Sequence, residues 1–344
     1  MTGTASRLVA AWYAPRPTVV STLLRPAAAL FGAAVALRRE MFRRGWRDSE
    51  RLPVPVVVVG NVTVGGAGKT PLALALADAL AARGRRPGFV SRGYGGGDEG
   101  PRAVIPTDDP HVVGDEPLLL AASGHPVWIA HRRVAAARGL VEANPQVDVI
   151  IADDGLQHYA LARDVELAVI DADRLFGNGL PLPAGPLREP KSRLREVDAI
   201  VVNGGGNLDL GAPRQFEMKL GRERFASVSG NAEMTAEEFV MRSRGQRVVA
   251  IAGIGNPGRF FEHLAALGVA ARGRAFPDHH AFQPAELRMP DADVIVMTEK
   301  DAVKCGAFAD ARMWFMRVEA ILPSDFDEFL LSRIKARADG RQAA

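Results

Sequence analysis

The sequence contains very little cysteine: Cys305 is the single one among 344 residues. One thiol excludes a disulfide framework and a cysteine-rich zinc site, and it is typical of a protein of the reducing cytosol. Aromatic residues are also few, at 6%, yet 47% hydrophobic residues are ample for a core. With an ordinary 24% of charged residues, wholesale disorder is excluded. The length predicts two α/β-sized units or one large one.

The sequence also lacks a long apolar run that is free of charge. Residues 18–37 are apolar except for Arg25, which is followed by Pro26. The uninterrupted part, 26–37, would be about 18 Å long as a helix, against a hydrocarbon core of about 30 Å. A membrane span would bury Arg25, at about 2.5–3.5 kcal/mol near the bilayer centre. A secretory signal is disfavoured because the arginines follow the apolar stretch.

The net charge of +3 is distributed unevenly. Residues 1–51 carry nine arginines and three acidic residues, a charge of +6 that leaves −3 for the remainder. This distribution argues against a nucleic-acid groove over the whole protein and favours an anionic partner at one end. We predict that residues 1–50 form a basic, apolar arm on a membrane surface, with a packed helix and a true span as alternatives. The predicted headgroup contacts are Arg38, Arg39, Arg43 and Arg44, and the predicted acyl contacts are Leu30, Phe31, Leu37 and Trp46.

The rest of the chain alternates runs of β-branched residues with helical stretches, which predicts an α/β fold with a mostly parallel sheet and helices on both faces. The predicted strands are residues 54–60, 148–152, 167–171, 199–202, 248–252 and 294–298, and the first predicted helix of the body is 71–84. Residues 216–228 alternate as an antiparallel strand does. The predicted units are a first α/β domain at 51–212, a β connector at 213–246, a smaller α/β domain at 247–335 and a frayed tail at 336–344.

A glycine-rich loop joins the first predicted strand to this helix: residues 60–71 read GNVTVGGAGKTP. Glycines let backbone N–H groups approach phosphate closely, and a helix N-terminus adds positive potential. The usual P-loop has glycine where this chain has Thr63, and Gly65 and Gly66 supply the flexibility instead. We predict a P-loop NTPase-type site for ATP rather than a chance glycine-rich turn. The predicted cradle is Thr63, Val64, Gly65, Gly66, Ala67, Gly68, Lys69 and Thr70, with Lys69 at the β/γ-phosphates and Thr70 on Mg²⁺.

Two acidic pairs are candidates for the chemistry beside the phosphates. Asp153 and Asp154 follow a predicted strand, at the sheet edge where ligands bind. One of them is expected to hold Mg²⁺, and the alternative is a turn or cap. Asp115 and Glu116 open a predicted helix, where a carboxylate could take the proton of an acceptor hydroxyl or merely cap the helix.

Three polar loops add further candidates. Residues 91–97 (SRGYGGG) would bring Arg92 or Tyr94 to a ligand, or form a flexible turn. Arg188, in a proline-set loop, is either a transition-state cation or a solvated side chain. Residues 276–280 (FPDHH) offer an imidazole; a zinc pair is disfavoured because adjacent histidines do not easily share one ion.

Together these motifs resemble the tetraacyldisaccharide 4′-kinases, the lipid A 4′-kinases of Gram-negative bacteria. The matching strings, in order, are VGNVTVGGAGKTP, SRGYGG, VGDEP, DDGLQH, LPAGPLREP, FPDHH and TEKDAVK. The resemblance spans the chain from the basic arm to about Pro323. It implies that ATP phosphorylates the 4′-hydroxyl of tetraacyldisaccharide 1-phosphate, which forms lipid IVA in lipid A biosynthesis. It also implies a two-lobed α/β fold with a β connector, working at the cytoplasmic face of the inner membrane.

The resemblance implies roles for individual residues. Asp115 matches the general base and His279 the histidine paired with it from the second lobe, while Lys69 and Thr70 match the phosphate and Mg²⁺ contacts. The other matching positions are Glu116, Asp153 and Asp154 as metal candidates, Arg188 as a catalytic cation, and Tyr94 and Glu189 as active-site candidates. Lys300 and Asp301 also match, without a mechanism. Thr63 departs from the general P-loop rule, but the family shares it.

A lipid substrate agrees with the basic arm. Four acyl chains leave a bilayer only at about 0.8 kcal/mol per exposed CH₂, so the enzyme must come to its substrate. The alternative is a membrane-associated P-loop switch ATPase of the chromosome-partitioning type, which has a lysine at the position of Val64. A third hypothesis is a membrane-surface module in which nucleotide is only structural. Nothing in the sequence indicates a protein or nucleic-acid partner.

Overall fold

A computed structural model describes residues 4–93, 97, 100–206, 208, 214–230 and 232–342, with side chains from residue 8 to 337. The helices are α1 Thr4–Trp12, α2 Val19–Leu23, α3 Arg25–Arg43, α4 Lys69–Ala81, α5 Pro110–Val113, α6 Asp115–Ala121, α7 Arg133–Ala143, α8 Ala236–Ser243, α9 Pro257–Ala266, α10 Glu299–Ala302 and α11 Asp325–Gln342. The strands are β1 Val56–Gly60, β2 Pro87–Ser91, β3 Arg102–Val104, β4 Val127–Ile129, β5 Val149–Ala152, β6 Val165–Asp171, β7 Ala199–Asn203, β8 Arg214–Ser227, β9 Glu233–Thr235, β10 Val248–Ala252, β11 Ala271–Ala275, β12 Val294–Thr298 and β13 Met313–Ile321.

These strands form one mixed sheet in the order β11-β10-β12-β13-β8-β7-β6-β1-β5-β2-β4-β3, and β9 pairs with β8. Neighbours are parallel except in the pairs β3–β4, β8–β9 and β8–β13. The prediction of an α/β fold with a mostly parallel sheet is therefore confirmed.

Strand β8 belongs to both halves of this sheet. Its first part, residues 214–218, runs parallel to β7, and its second part, 219–227, runs antiparallel to β13. The predicted strand at 216–228 is confirmed, and its antiparallel character holds for the second part. The two halves of the molecule are thus joined by one continuous strand.

The sheet is buried on both faces, as the apolar run of β1 predicts. Val57 and Val59 belong to a core with Leu72 of α4, whereas Val56 and Val58 belong to a second core on the opposite face. Helix α7 covers this second face. Two further cores lie on the faces of the β10–β13 half.

Helix α11 packs in the first of these cores, far from its neighbours in sequence. Phe326, Phe329, Leu330 and Ile334 are buried there, and the ring of Phe326 lies 4.8 Å from that of Phe216 in an edge-on arrangement. This helix continues as far as Gln342, so regular backbone is found beyond residue 335, where the sequence predicts a frayed tail.

The N-terminal apolar segment forms two helices rather than one. Helix α2 is capped by Thr18 and ends at Leu23, and α3 starts at Arg25 with Pro26 in its first turn. No helix in the described ranges is long and apolar enough to cross a membrane. Leu30 and Leu37 of α3 are 74% and 59% exposed, whereas Phe31, a predicted acyl contact, is half-buried.

Candidate active site

A cavity of about 410 Å³ lies where the carboxyl ends of β1, β5, β6 and β7 face the loops of the β10–β13 half. The first half contributes the glycine-rich loop, Asp154 and Arg188 to its lining. The second half contributes His279 and Lys300. This position agrees with the rule that ligands of open α/β sheets bind outside the carboxyl ends of the strands.

The glycine-rich loop lines one wall, from Val64 to Thr70, and Lys69 begins helix α4. Gly68 has φ +94°, and a Cβ there would lie 2.5 Å from Nδ2 of Asn203. The same amide donates a hydrogen bond of 3.0 Å to the carbonyl of Ala67, which fixes the loop against the end of β7. Thr63, by contrast, lies outside the lining and forms a bridge with Leu187.

Two cations share the carboxylate of Asp154 at this wall. Nζ of buried Lys69 lies 3.6 Å from Oδ1, and Nη1 of Arg188 lies 2.9 Å from both carboxylate oxygens. Burial raises the pKa of Asp154, but Lys69 and Arg188 outweigh it and hold that pKa well below its usual range. Because both cations also line the cavity, anionic phosphates would find positive charge there.

The adjacent Asp153 differs from Asp154 in its hydrogen-bond partner and in the direction of its pKa shift. Its Oδ2 accepts a hydrogen bond of 3.1 Å from the Thr70 hydroxyl, and the side chain is fully buried. Burial, together with the nearby Glu116, raises the pKa of Asp153 to about 7, and Lys69 opposes the rise.

Asp153 and Thr70 are hard oxygen donors of the kind that Mg²⁺ prefers. Mg²⁺ is bound through one or two carboxylates plus substrate phosphates rather than by an all-protein cage. Within the described residues, no three His, Cys, Asp or Glu side chains are grouped so as to hold a metal ion by themselves. The residues present therefore fit a magnesium ion that arrives with a nucleotide.

On the opposite wall, His279 lines the cavity and contacts the buried side chain of Asp115, although 164 residues separate the two. Nδ1 of His279 lies 3.2 and 3.1 Å from the two carboxylate oxygens of Asp115. This hydrogen bond raises the pKa of His279, while burial and Lys300 oppose it. Burial would raise the pKa of Asp115, but His279 and Lys300 lower it below its usual value. The predicted pairing across the two halves is present as a hydrogen bond.

Lys300 also belongs to this wall, although the sequence analysis assigns it no mechanism. Its Nζ lies 3.1 Å from Oε1 of Glu116 and 3.4 Å from Nε2 of His279. Glu116, a predicted metal ligand, thus already has a cationic partner. Asp301, beside Lys300, is buried and accepts a hydrogen bond of 2.9 Å from the N–H of Gly253, so it supports the wall rather than facing the cavity.

Besides Thr63, the predicted site residues Asp115, Asp153 and Glu189 are not part of the cavity lining. Glu189 is buried behind the glycine-rich loop, where it accepts hydrogen bonds from Tyr159 and Gln157. Tyr94 lies outside the described residues. The other histidine of the 276–280 loop, His280, pairs with Glu286.

The structure adds residues that the sequence analysis did not single out. Arg133 is buried, its Nη2 donates to the carbonyls of Asp153 and Asp154 at 2.9 Å each, and its Nε and Nη1 have no hydrogen-bond partner among the described residues. Asn203 and Arg259 lie at the edge of the cavity beside the glycine-rich loop, where Arg259 donates a hydrogen bond to Asn203. Asn203 follows a predicted strand, so the strand-end rule could have found it. Arg133 sits in an ordinary alanine-rich helix, and nothing in the sequence marks it.

Comparisons with known proteins point to one family. A model of the family described as LpxK, tetraacyldisaccharide-1-P 4′-kinase, matches residues 20–335. The tetraacyldisaccharide 4′-kinase of Chromobacterium violaceum is 49% identical over 338 residues, which cover 95% of this chain and 97% of the relative. That of Alkalilimnicola ehrlichii is 51% identical over 317 residues, which cover 92% and 93%.

A solved structure is also similar. The crystal structure of LpxK from Aquifex aeolicus in complex with ATP superimposes with a TM-score of 0.76 at 26% identity, covering 92% of this chain and all of that one. The family match extends over nearly the whole chain, the relatives are close to half identical, and the fold is shared. This chain belongs to the tetraacyldisaccharide-1-P 4′-kinase family.

Proposed function

We propose that this protein transfers the γ-phosphate of ATP to the 4′-hydroxyl of tetraacyldisaccharide 1-phosphate, which forms lipid IVA. Membership of the family supports the activity, and the ATP complex of the Aquifex aeolicus relative supports the nucleotide. The observation that supports the proposal is one cavity with Lys69 on one wall and, on the facing wall, His279, which is hydrogen-bonded to the buried Asp115.

The first wall would hold the nucleotide. Backbone N–H groups of residues 65–70 would face the phosphates at the positive end of α4, and Lys69 and Arg188 would balance the charge on the transferred group. Thr70 and Asp153 would hold Mg²⁺, which neutralises charge on the β- and γ-phosphates when it is bound. The bond that breaks joins the γ-phosphorus to the β–γ bridging oxygen, and ADP leaves.

The second wall would hold the acceptor hydroxyl. The 4′-oxygen forms the new bond to phosphorus, and its proton moves to a carboxylate oxygen of Asp115. A low pKa keeps Asp115 ionised at neutral pH, as a base must be. His279 would orient this carboxylate through its Nδ1 hydrogen bond.

The N-terminal helices would place this site at a lipid surface. Seven of the eleven large apolar side chains that the described residues expose belong to the first 46 positions. They are Val9, Val19, Val20, Leu23, Leu30, Leu37 and Trp46. Arginines follow at the end of α3, so an apolar face is flanked by positive charge, as in helices that lie on anionic membranes. We infer a peripheral or shallowly inserted protein at the cytoplasmic face of the inner membrane.

The subdivision into a kinase domain at 51–212, a connector at 213–246 and a smaller domain at 247–335 stays a prediction. Under it, the phosphate wall and Asp115 come from the kinase domain and His279 comes from the smaller domain, so the hydrogen-bonded Asp115–His279 pair needs both domains.

A transfer assay tests the proposed function. Protein, γ-labelled ATP, Mg²⁺ and tetraacyldisaccharide 1-phosphate in mixed micelles should give label at the 4′ position of the lipid. Lys69→Met should abolish most transfer because the phosphates lose their buried cation, whereas Lys219→Met, an exposed lysine on β8, should not. Hydrolysis of ATP without labelled lipid would favour the switch ATPase instead.

A further inference from the structure

We propose that Lys300 is a positioning residue that holds the imidazole of His279 in the tautomer with its proton on Nδ1. The inference rests on the proposed roles of Asp115 and His279 and goes beyond them, because it states which of the two can accept the hydroxyl proton. It is carried by the ordered series from the Lys300 ammonium to Nε2 of His279, and from Nδ1 of His279 to the Asp115 carboxylate.

The donors and acceptors in this series allow one neutral arrangement. An ammonium has three N–H donors and no acceptor, and an ionised carboxylate has acceptors only. Nε2 lies 3.4 Å from the ammonium and must therefore present its lone pair, while Nδ1, at 3.1 and 3.2 Å from the carboxylate, must carry the hydrogen. The opposite tautomer would turn an N–H toward the ammonium and a lone pair toward the carboxylate. Both contacts would then be repulsive.

The ammonium is fixed at this place by the groups around it. Lys300 stands in the single turn of α10 and is only 18% exposed. Carboxylates surround it from two other elements: Glu116 at 3.1 Å and Asp115 at 3.9 Å on α6, and Asp278 at 3.8 Å in the loop that carries His279. The next lysine, Lys304, is paired with another carboxylate: its Nζ lies 2.7 Å from Oδ1 of Asp301.

Asp278 does not supply a competing acceptor for the ring. Its Oδ1 lies 3.9 Å from Nε2 of His279, beyond hydrogen-bond distance, and instead accepts from the backbone N–H of His279 at 3.1 Å. The lone pair of Nε2 is thus directed at Lys300.

This arrangement has a chemical consequence. With Nε2 covered by an ammonium and Nδ1 already protonated, His279 has no site for the hydroxyl proton. It can only donate to Asp115, and the proton of the acceptor must go to the carboxylate. Lys300 acts through His279 and need not touch either substrate.

The tautomer can be read directly by NMR. Full-length protein with ¹⁵N-labelled histidine rings would be measured by long-range ¹H–¹⁵N correlation at a pH above neutral, because the hydrogen bond to Asp115 raises the pKa of His279 and the tautomer is defined only for the neutral ring. His279→Asn would assign the signal. We expect Nδ1 of His279 to be protonated and Nε2 to be unprotonated. In Lys300→Met the ring should shift toward the Nε2-protonated form or the imidazolium, whereas Lys300→Arg should keep the wild-type pattern.

Kinetics provide the second readout. Lys300→Met should lower kcat on the order of 10- to 100-fold, which is less than the whole contribution of about 10²–10⁴ of a general base. KM for ATP should stay within about twofold. Lys300→Arg should restore most of kcat, and Lys304→Met, which removes the other lysine of this segment, should keep the wild-type tautomer.

Two results would overturn the inference. The first is a wild-type His279 protonated on Nε2, a result that needs no Lys300 variant and holds even if Lys300→Met fails to fold. The second is a folded Lys300→Met protein with unchanged tautomer and kcat. Failure of the proposed function is a separate outcome, since an Asp115→Asn protein with full transfer activity would remove the base whatever the state of the ring.

Discussion

At the residue scale, the site separates two neighbouring aspartates into different roles. Asp154 has φ +48°, an uncommon conformation for a residue with a side chain, and its carboxylate faces Lys69 and Arg188. Asp153 is directed at Thr70 and lies near Glu116, so its ionised form is disfavoured. A bound cation would reverse that preference. The carboxylate of Asp154 is therefore neutralised by cations of the protein itself, whereas that of Asp153 is available to a bound cation.

His158 leads to a prediction about pH and stability. Burial, and then the positive charges of Arg133 and Arg92, lower the pKa of His158 to about 2. The unfolded chain takes up a proton near pH 6.5, whereas the folded chain does not, so the free energy of unfolding falls as the pH drops below about 6.5. The slope for one such group is at most about 1.4 kcal/mol per pH unit.

Urea unfolding of the nucleotide-free protein at pH 7 and pH 5.5 measures this contribution. In His158→Gln the loss of stability between the two values should be smaller than in wild type by about 1 kcal/mol. His111→Gln, at an exposed position, is the control and should behave as wild type. An unchanged pH dependence in His158→Gln would mean that the ring is protonated in the folded protein.

Gly68 leads to a prediction about the glycine-rich loop. Gly68→Ala should raise KM for ATP at least about tenfold, because a Cβ would meet both Nδ2 of Asn203 at 2.5 Å and Cε of Met218 at 3.0 Å. The loop must then move away from β7. The strained conformation should also cost about 1–3 kcal/mol of stability.

Gly84 is a control that separates the effect of backbone strain from that of a steric clash. Gly84, beyond the other end of α4, has φ +76°, and a Cβ added there would have nothing within 4 Å. Gly84→Ala should lower stability by about 1 kcal/mol and leave KM for ATP unchanged. If the two alanine variants raise KM equally, the contact with Asn203 is not what shapes the loop.

The site residues that could be predicted from the sequence are those whose place depends on neighbouring residues in the chain. Lys69 and Thr70 follow from their place between a strand and a helix, and Asp153 follows from the end of a buried strand. The environment of Lys300 could not be read in this way, because its partner Glu116 lies 184 residues away and α10 is a single turn. The family resemblance marked Lys300, but only the fold supplies its partners.

At the scale of elements, the strands that are continuous apolar runs were predicted best. Strands β1 and β10 are such runs, and the predicted bounds agree with the observed ones within two residues. Strand β13 also lies inside the sheet but was not predicted. Strand β11, at the edge, reads ARGRA and is largely exposed, so no apolar pattern predicted it. Helix α4 begins two residues earlier than expected because the glycine-rich loop leads directly into it at Lys69.

Helix α3 leads to a prediction about membranes. The double substitution Leu30→Glu and Leu37→Glu should reduce co-sedimentation with anionic phosphatidylglycerol vesicles several-fold, because both side chains point away from the body and would enter the lipid. Activity on the acylated substrate should fall with it, while ATP binding should not.

The control uses an exposed apolar residue elsewhere. Met241, on α8, is 71% exposed, and Met241→Glu should leave vesicle binding unchanged. Added salt should weaken binding of the wild type if the arginines of α3 contribute. Equal sedimentation of the Leu30/Leu37 variant and the wild type would remove α3 from the membrane contact.

At the scale of the whole molecule, the two halves are connected by shared secondary structure and do not merely face each other across the cavity. Strand β8 belongs to both half-sheets. Helix α11, which comes last in the sequence, packs into the hydrophobic core of the half that carries the glycine-rich loop. No periodicity in the sequence shows where a last helix will pack, so this return of the chain could not be predicted.

Removal of α11 should therefore disable the distant half. A chain that ends at residue 324 loses four buried side chains, each worth about 1.5–3 kcal/mol, against a total stability of about 5–15 kcal/mol. We expect little soluble protein and no cooperative unfolding in urea. A chain that ends at residue 337 keeps Phe326, Phe329, Leu330 and Ile334 and should unfold as the full chain does. A stable, nucleotide-binding 1–324 protein would show that α11 is dispensable.

The place of α11 also has a consequence for synthesis on the ribosome. Nascent domains generally fold from the N-terminus while the chain is still being made. Here the half that carries the glycine-rich loop lacks part of its interior until residues 326–334 have left the exit tunnel. An interrupted translation product would display that unfilled apolar groove and be open to chaperones and proteases. Competence to bind nucleotide should appear only after residues 326–334 have emerged and packed into this core.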